Sequence, residues 1–120
     1  MNWKFAGDRP VYQQIMAAIR GSILKEELSP GSKVPSVRDL AAEAQVNPNT
    51  MQRALAELER EGLVHSLRTA GRFVTEDEAV IHQAKRTLAQ KHICRFLSAM
   101  ADLGYGQQEI ISLLGEEQED

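Results

Sequence analysis

The sequence predicts a mainly α protein, built from three helices, a β-hairpin and two further helices. Three observations lead there. Apolar residues recur at helical spacing in three segments between residues 11 and 60. Two short strand-like runs, LVHSL and RFVT, then flank the stretch RTAG. Helical spacing returns at residue 78 and continues, broken once at GYGQQ, toward an acidic end.

Each element has local chemistry behind it. In the first helix Val11, Ile15, Ala18, Ile19 and Ile23 form the apolar row, and Pro10 sits where a first-turn proline is tolerated. LSPGSKVPS, with Pro30, Gly31 and Pro35, reads as a loop. Ser36 caps the second helix, Asp39 stands in its first turn, and Val37, Leu40, Ala41 and Ala44 make its buried face. AQVNP is a tight connection into the third helix. There Asn47 is the cap, Pro48 opens the first turn, and Met51, Ala54, Leu55 and Leu58 fall at i, i+3, i+4 and i+7. Gly62 stops this helix. The two strands are marginal alone and need the helices to lean on. The fourth helix carries Ile81, Ala84, Leu88, Phe96, Met100 and Leu103. The last carries Ile110, Ile111, Leu113 and Leu114, before a solvated acidic tail, EEQED.

Composition narrows the class. Hydrophobic residues at 42% and charged residues at 26% are ordinary for a folded soluble protein. No apolar run approaches the ~20 residues that span a bilayer, so no membrane partner is expected. The start, MNWKFAGDRP, lacks the apolar core of a signal peptide, which points to the cytoplasm. Cys94 is the single cysteine, so neither a disulfide within the chain nor a cysteine zinc cluster is expected. Its neighbours Ile93, Phe96 and Leu97 predict a packed thiol. The net charge of −3 hides an asymmetry. Residues 1–75 hold ten Lys/Arg against eight Asp/Glu, and residues 76–120 hold four against nine. The change falls at TEDEAV, which predicts two units, 1–76 and 77–120, with any anion-binding surface in the first.

The third helix explains what that surface is for. At ~100° per residue, Asn49, Arg53, Ala56 and Arg60 lie opposite the apolar stripe, and Thr50 and Gln52 flank that face. Asn and Gln can pair with adenine edges, and Arg with guanine. Helix-turn-helix proteins present the N-terminal part of their recognition helix to bases, and a helix start with open N–H groups also suits phosphate. A preceding helix on a short turn, followed by a hairpin with Arg68 and Arg72, is the layout of a winged helix-turn-helix. As phosphate contacts, Lys33, Arg38, Arg68 and Arg72 would make binding fall steeply with salt.

Residues 10–74 resemble the DNA-binding domain of GntR-type bacterial transcription regulators. The ordered signals are Y-x-x-I, then L-x-P-G-x-x-V-P-S-x-R-x-L-A, A-L-x-x-L-x-x-E-G-L-V and G-x-F-V. NPNTMQRA and the short tail resemble the YtrA subfamily. The resemblance implies that Arg38 contacts the DNA backbone, that Asn47, Pro48, Asn49, Thr50 and Gln52 form the reading start, and that Gly71 approaches the minor groove. Pro48 and Gln52 stand where arginines are common, so the base preference should differ from arginine-rich relatives. Thr69 replaces the usual first wing glycine. For base contact the helical wheel favours Arg53 and the resemblance favours Gln52, leaving Arg53 a phosphate or packing candidate.

The second unit has too few helices for a sizeable ligand cavity but much apolar surface, which short helices usually bury against a partner. Ile81, Leu88, Phe96, Met100, Ile110 and Leu114 are its candidate dimerisation residues, and a two-fold homodimer is the commonest arrangement. A dyad would pair two recognition helices on a palindromic operator in double-stranded DNA, with half-sites ~10 bp apart or a multiple. His82 and His92, ten residues apart without a clear carboxylate companion, read as surface or interface histidines rather than metal ligands. Tyr105, between Gly104 and Gly106, reads as an aromatic packed back over a turn. No catalytic residue, metal or cofactor is expected. The aminotransferase-like domain fused to some of these regulators, which uses pyridoxal phosphate, finds no room in 120 residues. The expected function is a repressor. By the subfamily resemblance it controls an ABC-transporter operon and its own gene, with room left for a small-molecule effector at the dimer interface.

Overall fold

A computed structural model of the chain describes residues 1–116. Its elements run α1 (Val11–Leu24), α2 (Val37–Ala44), α3 (Pro48–Arg60), β1 (Val64–Leu67), β2 (Gly71–Val74), α4 (Glu78–Asp102) and α5 (Gln107–Leu114). A single 3-10 turn, Arg68–Ala70, joins the strands. This is the predicted order. The acidic tail, apart from Glu116, lies outside the described residues.

The chain divides into two compact units, 1–84 and 85–120. The charge change set the expected division near residue 76. The first unit reaches further because Val80 and Ala84, early in α4, pack against its core.

That core is built around α3. Ile15, Ile19 and Ile23 of α1, Leu40 of α2, and Met51, Ala54, Leu55 and Leu58 of α3 are each 1% exposed or less. Leu63, Val64 and Val74 bring the hairpin onto the same cluster. The predicted row of α1 needs two changes. Val11, in the first turn, is exposed and Ala18 only half-buried, while Met16 and Leu24 join the buried set.

Two connections depend on backbone chemistry. Ser36 accepts the Asp39 N–H at 3.1 Å, the predicted cap. At the other end of α2, Gln45 adopts φ 58° and ψ 48°, in the left-handed region, and its N–H bonds the Ala41 carbonyl. This one unfavourable residue turns the chain sharply enough for α3 to begin at Pro48.

The hairpin pairs Val64 with Val74, His65 with Phe73, Ser66 with Arg72 and Leu67 with Gly71, antiparallel. It does not stand alone. The segment read as a loop pairs with the outer side of β2: Gly31 N–H donates to Val74 O, Val74 N–H to Ser32 O, and Val34 N–H to Arg72 O, each at 2.9 Å. Pro30 and Pro35 punctuate that segment without preventing the pairing between them. A further tie comes from Gln14, a buried polar side chain of α1. It accepts the Ala6 N–H at 2.6 Å and donates to the carbonyls of Ala6 and Arg9 at 2.8 and 2.9 Å, holding the N-terminal arm.

In the second unit α4 ends at a turn where Gly104 takes φ 90°. Glu109 accepts the Gly106 N–H at 3.0 Å at the start of α5. Ile110 is buried. Cys94 is exposed rather than packed, because its apolar neighbours Ile93, Phe96 and Leu97 are themselves exposed in the single chain. Tyr105 is exposed as well, correcting the expected aromatic packed over the turn.

Leu55 gives the most direct test of the packing. Leu55→Ala should lower unfolding free energy by about 2–5 kcal/mol in denaturant titration. A loss below about 1 kcal/mol would show that α3 is not seated as described.

Candidate nucleic-acid interface

The front of α3 projects from a helix whose opposite face is locked in the core. Asn49, Gln52, Arg53, Ala56 and Arg60 are exposed and Thr50 is half-buried, as the wheel predicts. Asn47 caps the helix, its Oδ1 accepting the Asn49 N–H at 2.7 Å. The Asn47 carbonyl accepts from Thr50 at 3.0 Å and Met51 at 3.1 Å. Pro48 has no N–H. The first turn of α3 therefore offers no open backbone donor, which corrects the expectation that its N–H groups are available to phosphate. Whatever this end binds, it binds with side chains.

The open donors lie on α2 instead. Ser36 engages the N–H of Asp39, leaving those of Val37 and Arg38 without partners among the described residues. Arg38 is exposed, and its guanidinium has no ion pair or hydrogen bond among them. A helix start with two open N–H groups and an adjacent unpaired arginine suits a phosphate.

The wing faces that start across an open cleft, lined by Lys33 to Val37 on one side and by Ser66 and residues 68–72 on the other. Arg68, in the 3-10 turn, is exposed and unpaired among the described residues. Gly71 takes φ 102° and ψ −159°, a conformation open essentially to glycine, and a Cβ there would meet the Lys33 side chain at 3.1 Å. The wing thus turns at its glycine and leans on the Lys33 stem.

Two predicted cations are engaged within the domain. Arg72 donates through Nε to Glu59 at 3.2 Å, and its side chain is only 19% exposed. Its Nη1 reaches Gln52 Oε1 at 3.5 Å. Arg53 stacks over the Tyr12 ring of α1, Cζ lying 3.7 Å from the centroid, a cation–π contact that ties the reading helix to α1. Arg20 adds a two-oxygen clasp on Glu61 at 2.8 and 2.9 Å, just beyond α3. None of these ties follows a periodicity. Only the hairpin register, which sets Ser66 opposite Arg72, hints at one of them.

Glu59 is the hub of the wing contact. The Ser66 hydroxyl donates to its Oε1 at 2.8 Å, and this bond, with Arg72 beside it, holds the carboxyl below its ordinary 4.5 despite partial desolvation. Among the described residues, no group of three or more His, Cys, Asp or Glu side chains is placed to hold a metal. No helix among the described residues is long and apolar enough to cross a membrane.

Three helices with a sharp turn before an outward-facing third, and a hairpin beside it, define a winged helix-turn-helix, a DNA-binding class. Residues 11–74 match the family of bacterial regulatory proteins, gntR family. The chain belongs to the GntR family of transcription regulators. It is 36% identical over 111 residues to the uncharacterized HTH-type transcriptional regulator YhcF of Bacillus subtilis, covering 92% of each chain. It is 38% identical over 85 residues to the HTH-type transcriptional repressor YtrA of Bacillus subtilis, covering 70% of this chain and 65% of that one. Among solved structures, a GntR family transcriptional regulator from Listeria monocytogenes superposes with TM-score 0.85 at 35% identity, over 95% of this chain and all of that one. The AraR DNA-binding domain, solved in complex with operator ORX1, superposes with TM-score 0.58 at 26% identity, over 62% of this chain and 96% of that one.

The lowered Glu59 pKa fixes the sign of a pH effect. A carboxyl more acidic in the folded chain contributes stability above its unfolded value, and that contribution disappears as pH falls through the folded value. Glu59→Gln should therefore be less stable than the parent at neutral pH, with the gap closing as pH falls below the ordinary carboxylate range. A gap that stays constant across thermal unfolding scans from neutral to acid would contradict the Glu59 tie.

Proposed function

We propose that the chain is a repressor that binds a palindromic operator as a homodimer, reading bases with the front of α3 and gripping phosphates with α2 and the wing. One observation carries this reading: exposed Asn49 and Gln52 stand on the front of α3, Gln52 in reach of Arg72 on the wing at 3.5 Å, and that wing lines a cleft with the start of α2 where Arg68 has no partner among the described residues. Phosphate contacts position such a domain, and base-edge contacts specify its site. Asn49 and Thr50 are the readers beside Gln52. Pro48 shapes the turn, and Asn47 contributes only the amide hydrogens its cap leaves over. Gly71 carries the wing past the minor groove. Arg53 holds α3 against Tyr12 rather than reading, which favours Gln52 for base contact.

Dimerisation is supported by the second unit. Ile93, Phe96, Leu97, Leu103, Ile111 and Leu114 are all exposed, between 41% and 73%. Surplus apolar surface of that kind calls for a partner, and a second copy is the commonest one. Phe96 and Leu114 are the strongest of the expected contacts. Leu88 and Met100 are half-buried, as is Ile81 in the first unit, and Ile110 is already covered within the single chain. The name of the relative YtrA supports the repressor role. The subfamily resemblance extends it to control of an ABC-transporter operon and the chain's own gene.

Electrophoretic shifts with DNA upstream of its own operon test the reading. Arg38→Ala should weaken binding to cognate and random DNA alike and lower the salt slope by about one. Asn49→Ala should instead cost about 1–3 kcal/mol on cognate DNA and little on random DNA. Equal losses on both would remove Asn49 from the specificity set. For the dimer, Phe96→Glu should convert the sedimentation profile from two copies to one, and a parent chain that sediments as a monomer at working concentration would contradict it.

A further inference from the structure

We propose that Arg72 is a positioning residue that makes Gln52 a donor-only reader, so that the domain prefers guanine over adenine at the base Gln52 meets. This rests on the operator reading above and deepens it.

A guanidinium carries N–H donors and no acceptor. The atom of Gln52 that faces Arg72 is therefore the amide oxygen, and the contact is Nη1 to Oε1 at 3.5 Å. Arg72 is itself held. Its Nε donates to Glu59 Oε1 at 3.2 Å, and Ser66, its partner across the hairpin, donates to the same oxygen at 2.8 Å. Gln52 and Glu59 are two turns apart on one row of α3, so the guanidinium lies along that row. With 19% of its side chain exposed, Arg72 cannot turn to a phosphate without giving up the carboxylate.

The consequence concerns the face Gln52 shows to DNA. The major-groove edge of adenine offers one acceptor and one donor, N7 and the N6 amino group, which a freely rotating Gln matches with both ends of its amide. Guanine offers two acceptors, N7 and O6. An amide whose oxygen is turned toward the wing presents its two N–H groups, which fit guanine.

Binding-site selection on the parent, Gln52→Ala, Arg72→Met and Glu59→Gln chains tests this, with thermal unfolding recorded for each. Gln52→Ala locates the base pair concerned, and an unchanged site from that variant overturns the proposal. At that pair the parent should favour guanine, and Arg72→Met should move the guanine-to-adenine ratio about tenfold toward adenine. If Arg72 grips phosphate, Arg72→Met will select the same site as the parent with uniformly weaker binding and a salt slope reduced by about one. That overturns the proposal and leaves operator binding standing. Glu59→Gln keeps every cation and covers the case in which Arg72→Met does not fold. A shifted preference supports the proposal, whereas an unchanged site with tighter binding to random DNA overturns it. A parent chain that selects no sequence overturns the operator reading itself.

Discussion

Met51, Ala54, Leu55 and Leu58 occupy one face of α3, and none is more than 1% exposed. That burial is the constraint on which the rest of the domain depends. Four side chains at i, i+3, i+4 and i+7 fix the rotation of the helix about its axis, because interiors are packed too densely to accept another face. Once the rotation is set, Asn49 and Gln52 have nowhere to point but outward. The cap by Asn47 and the left-handed turn at Gln45 fix where the helix begins. Position and rotation together make a reading surface out of residues that are otherwise ordinary surface polars.

A second layer of order comes from how charges are distributed. Arg20, Arg53 and Arg72 are each engaged with a neighbouring element, through Glu61, Tyr12 and Glu59 respectively. The two ion pairs are partly open to solvent and each contributes modestly to stability, about 0–1 kcal/mol. Their effect is orientation, since they tie α1 and the wing to α3. Arg38 and Arg68 are left unpaired among the described residues, and they border the cleft between the start of α2 and the wing or lie close to it. A modest excess of positive charge in the first 75 residues thus becomes a local one. The saturated first turn of α3 sharpens the division further: open N–H groups sit on α2, and α3 is left with side chains alone.

Much of this was legible in the sequence, for identifiable reasons. Helices, caps and the hairpin depend on residues a few positions apart, and Ser36, Asn47, Pro48 and the apolar rows announce them. The polar face of α3 followed from the same spacing. What escaped depends on contacts between distant residues. The pairing of residues 31–34 with β2 is made by backbone atoms that any side chain could carry, so two prolines and a glycine suggested only a loop. Gln14 carries no local signal, because its partners are carbonyls and an N–H of the arm before it. The links from Arg72 to Glu59 and from Arg53 to Tyr12 span 13 and 41 positions, beyond any local rule. Cys94 departs from the expected packed thiol because its apolar neighbours, which suggest a core, face outward in the single chain.

The division of labour between α3, α2 and the wing can be observed in one measurement. Amide chemical shifts would be followed by NMR as an operator duplex is titrated into the isotope-labelled chain. The largest changes should fall on residues 47–52, on Val37 and Arg38, and on the wing from Arg68 to Arg72, with α1 and residues 1–9 little affected. Changes centred on α1 or the N-terminal arm, with α3 silent, would contradict the assignment of α3 as the reading helix.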